Sequence, residues 1–204
     1  QPHHLIASGR YGDALDAAER ARDAAEEADD AELVADAENM RGTALLRLLR
    51  LEEAVVCYRG VLEMALASGD RRREARVRGN LAQPLSALGR DDEALAEHAA
   101  SLALFESLGR RYEECVSAGN YGNQLRLAGR WNEAEPLLER CLDLARRIGY
   151  RGGEANALGN LGALRCDQGR LAEALRFTQQ ADRLLVEIDH LPHRLTNRQI
   201  LGMI

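Results

Sequence analysis

The sequence predicts an all-α protein, an α-solenoid of about five antiparallel helix pairs. Two observations predict it. The chain repeats every forty residues: Gly79-Asn80-Leu81-Ala82 returns as Gly119-Asn120-Tyr121-Gly122 and again as Gly159-Asn160-Leu161-Gly162. Self-similarity at a fixed period of this size marks a repeat architecture. Each repeat is also cut twice by glycine-type breaks into segments of roughly 18 residues whose apolar positions recur three and four apart, the pattern of an amphipathic helix. Two helices joined by a tight turn form an antiparallel pair, and stacked pairs form a solenoid.

The elements follow in chain order. Residues 1–30 hold a partial repeat: 1–8 read as the tail of one helix, Gly9-Arg10 as the turn to the next, and Asp29 stands in the column of breaks. Repeat 31–70 has a degenerate turn at Leu49-Arg50, after which Glu52 and Glu53 open a helix that stops at Gly69. Repeat 71–110 turns at Gly89-Arg90, and from Asp91 to Leu108 the residues Ala94, Leu95, His98, Leu102, Leu104 and Phe105 supply the apolar face. Repeats 111–150 and 151–190 turn at Gly129-Arg130 and Gly169-Arg170 and close at Gly149 and Asp189. Residues 191–204 begin a sixth repeat, with Leu201-Gly202 in the column of Leu161-Gly162. Glycine after a segment supplies the left-handed cap, and acidic residues at helix starts complement the helix dipole. The chain begins at Gln1 and carries no polar capping helix, so 1–204 is expected to be one solenoid domain belonging to a longer protein or covered by a partner.

Two small-residue columns govern packing. Gly42, Ala82, Gly122 and Gly162 lie on the first helices, and Ala54, Ala94, Ala134 and Ala174 follow twelve residues later on the second helices. Small side chains at both places let helix axes cross closely, so Ala134→Leu is expected to overpack the crossing at a cost of about 1–3 kcal/mol. On these residues the chain resembles the tetratricopeptide-repeat family, whose signature sets a Leu-Gly pair on the first helix and an alanine twelve residues beyond that glycine. Leu161-Gly162 with Ala174 matches it, as does Tyr121-Gly122 with Ala134. The next signature column, an aromatic, holds Tyr58 but then His98, Leu138 and Thr178. The forty-residue period is similar to the longer-helix variety of kinesin light chains, G-protein-regulating scaffolds and large bacterial regulators. The resemblance implies a right-handed superhelix.

Composition removes several functions. A net charge of −6 and few aromatics argue against direct nucleic-acid binding. All 27 basic residues are arginine, which excludes Schiff-base and P-loop lysine chemistry. No apolar run approaches the roughly 20 residues that span a bilayer, so no membrane partner and a cytoplasmic location are expected. Cys57, Cys115, Cys141 and Cys166 form no C-x-x-C pair and read as free thiols. No phosphate-loop or nucleophile-elbow motif occurs. Gly149-Tyr150-Arg151-Gly152-Gly153 follows a helix and reads as a turn between repeats. Glu26, Glu27, Asp29 and Asp30 fit a solvated helix face, and His98 the edge of the core. His3-His4 and His190 with His193 lack acidic or cysteine ligands at supporting spacing. No cofactor, metal or catalytic residue is therefore expected.

What remains is a face of the first helices. Residues spaced four, three and four apart share a helix face. This aligns Asp36, Met40, Thr43 and Arg47; Arg76, Asn80, Gln83 and Ala87; Val116, Asn120, Asn123 and Leu127; and Asn156, Asn160, Ala163 and Asp167. Asparagine is a mediocre helix former, yet it holds one column in Asn80, Asn120 and Asn160. In the family that face lines a concave groove, and its asparagines grip a peptide backbone, to which an amide can both donate and accept. The other reading is that these amides bridge neighbouring repeats or cap turns. Pro84 is expected to kink its helix and widen the groove beside Asn80, whereas Pro136 sits in a first turn that tolerates it. Arg71, Arg72 and Arg73 form either an anchor for an acidic partner or a solvated helix start near Asp70 and Glu74. The resemblance thus implies a non-catalytic module binding a peptide or protein segment, as the sensing or regulatory repeats of a multidomain bacterial signalling or transcription-regulating protein. The alternatives are a scaffold that self-assembles into a homo-oligomer through ends near Leu5 and Leu201, and a metal-binding or enzymatic protein using the histidines.

Overall fold

The computed structural model describes residues 9–188. The expectations on His3, His4, Leu5, Asp189, His190, His193, Leu201 and the partial repeat 191–204 lie outside the described residues. Within them the chain forms nine α-helices and no strand. They are α1 (Tyr11–Glu27), α2 (Ala31–Arg47), α3 (Leu51–Ser68), α4 (Arg71–Ala87), α5 (Asp91–Ser107), α6 (Arg111–Leu127), α7 (Trp131–Arg147), α8 (Arg151–Asp167) and α9 (Leu171–Glu187). Among the described residues no helix is long and apolar enough to cross a membrane.

The breaks work as one device repeated every twenty residues. Gly9, Asp29, Leu49, Gly69, Gly89, Gly109, Gly129, Gly149 and Gly169 all take positive φ, between 54° and 75°. From Asp29 onward the residue after each turns its N–H back onto the helix just ended: Arg90 N donates to the Leu85 carbonyl at 2.9 Å and Arg130 N to that of Leu125 at 2.8 Å. This is a Schellman stop, which satisfies carbonyls that the helix end leaves open. The arginine side chains act at the start of the next helix. Arg50, Arg90, Arg130 and Arg170 each fork onto the glutamate three residues on, with N–H···O distances of 2.6–2.8 Å. Those hydrogen bonds hold Glu53, Glu93 and Glu133 below the usual carboxylate range. Asp30 caps α2 instead, its carboxylate accepting from Glu32 N and Leu33 N at 3.1 and 3.0 Å.

The chain divides into two compact units, 1–104 and 105–204, with the boundary inside α5. In the first, α1 packs on α2, α2 on α3 and α4, and α3 on α4, around a core that includes Leu45, Val55, Tyr58, Val77, Leu81 and Leu85. In the second, α6 packs on α7 and α8, α7 on α8, and α8 on α9, burying Leu125, Leu138, Leu158, Leu161, Leu164 and Leu185.

The small-residue column is a set of close approaches. A methyl group at Gly42 would lie 2.9 Å from the Tyr58 ring, at Gly122 2.8 Å from Leu138, and at Gly162 2.7 Å from the Thr178 hydroxyl. In these three repeats the drifted aromatic column, filled by Tyr58, Leu138 and Thr178, packs onto the glycine of its own repeat. His98 occupies that column and is 4% exposed. It belongs to the core itself, not to its edge, because this position points at the helix crossing. α4 runs through Pro84 to Ala87 with the proline ring buried.

Candidate functional site

The first helices of adjacent repeats lie against one another inside each unit, α2 with α4 and α6 with α8. Among the described residues no comparable contact joins α7 to α9, so within the second unit the first helices lie closer to one another than the second helices do. Asn120, Asn156 and Asp167 are exposed there, and Asn123 and Asn160 are half-buried. Asn160 donates its amide to Asn156 Oδ1 at 3.1 Å. Arg126 ties the two helices together, donating to Asn123 at 3.2 Å and to Asp167 at 2.5 Å.

In the first unit the corresponding face is more occupied with itself. Asn80 donates to Asn39 Oδ1 at 3.0 Å, from α4 to α2. Thr43 turns inward: its hydroxyl lies 3.0 Å from the buried Tyr58 hydroxyl and donates to the Asn39 carbonyl at 3.0 Å. Arg76 and Arg73 both reach Asp36, at 3.4 and 3.3 Å, and Arg73 also pairs with Asp70 at 3.5 Å. Arg47, Gln83, Arg71 and Arg72 are exposed. Of the arginine cluster, Arg73 thus already serves the chain's own carboxylates.

The second unit adds a cavity of about 390 Å³ that opens on this same face. Val116, Asn120 and Asn156 line it from α6 and α8, Leu185 and Ile188 from the end of α9, and Cys115, Cys141 and Tyr150 complete the wall. The glycines Gly152 and Gly153 in the first turn of α8 explain how Tyr150 fits. An added methyl at Gly152 would come within 3.2 Å of its ring, and one at Gly153 would overlap it. The Tyr150 ring lies 4.8 Å from that of Tyr112, and the hydrogen bond with Tyr112, together with burial, pushes the Tyr150 phenol up to about 12. The run read as a mere turn therefore also shapes a pocket. Cys115, Cys141, Tyr150, Leu185 and Ile188 escape the sequence reading. Only the cysteines carried a signal, since they replace the alanine and small residues of their columns.

The family profile for the tetratricopeptide repeat matches residues 113–183, the stretch that holds α7 and α8 and most of α6 and α9. Over that stretch the chain carries tetratricopeptide repeats. Similar solved structures include BtubC (BKLC) from P. vanneervenii, 18% identical with a TM-score of 0.79, over 93% of this chain and 78% of that one. The nearly identical repeats of a Podosopora anserina protein named for kinesin light chain are 15% identical, TM-score 0.75, over 92% of each chain. A Rap protein complexed with Competence and Sporulation Factor is 14% identical, TM-score 0.73, over 98% of this chain and 61% of that one. At these identities the likeness is one of fold. No curated protein sequence matches the chain.

Proposed function

We propose that this tetratricopeptide-repeat chain is a non-catalytic interaction module that binds a peptide or protein segment along its first-helix face, with the cavity of the second unit taking an apolar side chain. The observation that carries the reading is the pairing of exposed amides, Asn120 and Asn156, with an apolar-walled cavity on one face. Amides hold main chain without regard to sequence, and the pocket supplies the selectivity that they lack. A Rap protein of similar fold carries Competence and Sporulation Factor as its bound partner, which supports a partner-binding role here. The Asn80–Asn39 contact makes the first unit's amides a bridge between repeats, so the second unit is the working part. The resemblance to large bacterial regulators favours the setting of a cytoplasmic signalling or transcription-regulating protein whose other domains the repeats sense or restrain.

The test is selection from a random peptide library on immobilised protein, followed by affinity measurement on an Asn120→Ala/Asn156→Ala double variant. Each lost amide contact is worth about 0.5–1.5 kcal/mol, so selected peptides should bind the variant roughly five- to 150-fold more weakly, with its melting temperature unchanged. Equal affinity for both proteins, or no enrichment at all, would reject the groove.

A further inference from the structure

The cavity wall holds two thiols in contact. Cys115 on α6 and Cys141 on α7 place their sulfurs 3.7 Å apart. Both are buried, at 0% and 2% exposure, yet both line the cavity. Packing does not require a thiol at either place. Ala35, Ala75 and Ala155 stand in the column of Cys115, and Val61, Ser101 and Ala181 in that of Cys141. The same two columns touch one repeat earlier, where the Ser101 hydroxyl donates to the Ala75 carbonyl at 2.7 Å. Alanine and serine thus satisfy the fold there, and the facing thiol pair belongs to the repeat that also has the cavity. Gly119, one turn beyond Cys115, leaves the room that the Cys141 sulfur fills, since a methyl group there would lie 3.0 Å from it.

We infer that Cys115 and Cys141 form an oxidisable dithiol site that reacts with small hydroperoxides entering the cavity and closes to a disulfide. A disulfide needs its sulfurs at roughly 2.05 Å, so the pair has to close a gap of under 2 Å from 3.7 Å. Both sulfurs are shut off even from water in the resting fold, so the reaction waits on a local opening of the cavity wall, wide enough for hydrogen peroxide and too narrow for a bulky disulfide reagent. The contact between the thiols holds that of Cys115 below the usual thiol range and pushes that of Cys141 up, which makes Cys115 the attacking group. Its thiolate bonds to one peroxide oxygen as the O–O bond breaks, giving a sulfenic acid and, after protonation, water. The Cys141 sulfur then attacks the Cys115 sulfur. The S–O bond breaks, the S–S bond forms, and a second water leaves with the Cys141 proton. Two thiols lose two electrons in all, and one peroxide becomes two waters. The site stands whether or not a peptide enters the cavity.

The test treats the folded, fully reduced chain with hydrogen peroxide, quenches it, unfolds it and labels it with N-ethylmaleimide. The four cysteines give four adducts before oxidation. Two adducts should be lost after it, with the tryptic peptide Tyr112–Arg126 linked to Cys141–Arg146, and dithiothreitol should restore all four. Cys141→Ala should stop at a sulfenic acid on Cys115 that dimedone captures, and Cys115→Ala should give no linked peptide. Both alanines are residues that neighbouring repeats hold in these columns, so circular dichroism should match the wild type. Four adducts surviving at peroxide doses that oxidise free cysteine, or a cross-link that appears only after helicity is lost, would overturn the assignment.

Discussion

His98 puts an imidazole where the flanking repeats hold the side chains of Tyr58 and Leu138, and burial drives its pKa down to about 4. An unfolded histidine titrates near 6.5. As pH falls through that value the unfolded chain takes up a proton that the folded chain refuses. Stability is therefore complete above about pH 6.5 and is lost progressively toward about pH 4. The full effect is on the order of 3 kcal/mol, since one pKa unit is worth about 1.4 kcal/mol. The arginine-paired carboxylates Glu53, Glu93 and Glu133 act lower, because their pKa values are depressed and their contribution fails only under acid conditions. Denaturant titrations at several pH values should show the wild type losing about 2 kcal/mol between pH 6.5 and 5. His98→Leu, which installs the residue that Leu138 already provides in this column, should remove that slope. Parallel slopes for the two proteins would mean that the imidazole is protonated in the fold.

Among the helix stops, seven glycines take the left-handed conformation without strain, but Leu49 adopts φ 60° at 79% exposure. An L-residue in that region costs about 1–2 kcal/mol, because its Cβ crowds the carbonyl that follows. Nothing is gained by burying the side chain. Leu49→Gly should thus stabilise the α2–α3 turn by about 1 kcal/mol after the entropy that glycine loses. In differential scanning calorimetry that is a rise of about 2–4 °C, and a fall would mean that Leu49 packs on something outside the described residues. This column was legible in the sequence because a turn is a local event: one residue must tolerate positive φ, and glycine advertises it. The glutamate forks were only half legible. Gly-Arg turns and acidic helix starts could each be read, but not that Arg90 and Glu93 meet, which depends on side-chain direction across the cap. Of the cavity only the rim was legible, in Val116, Asn120 and Asn156. Its walls come from four separate helices, and Leu185 or Tyr150 looks like any other core or turn residue until α6, α8 and α9 are placed together.

The fold as a whole is an accumulation of neighbour contacts. Within each unit a helix packs on the next, from α1 to α4 and from α6 to α9, and α2 on α4 and α6 on α8 join alternate helices. A solenoid of this kind carries stability as a sum of repeat terms and nearest-neighbour terms, so damage should stay near its origin. Ala134 offers a clean probe. It is fully buried on α7, and its carbonyl lies 3.3 Å from where a methyl group at Gly122 would stand. Ala134→Leu should overpack that crossing by about 1–3 kcal/mol. Native-state hydrogen exchange reads the loss helix by helix. Amides of α6, α7 and α8 should exchange faster by roughly five- to 150-fold, as 1–3 kcal/mol requires, while those of α1, α2 and α3 keep their wild-type protection. Uniform acceleration along all nine helices would show instead that the repeats unfold as one cooperative body, and the nearest-neighbour account of this chain would have to be abandoned.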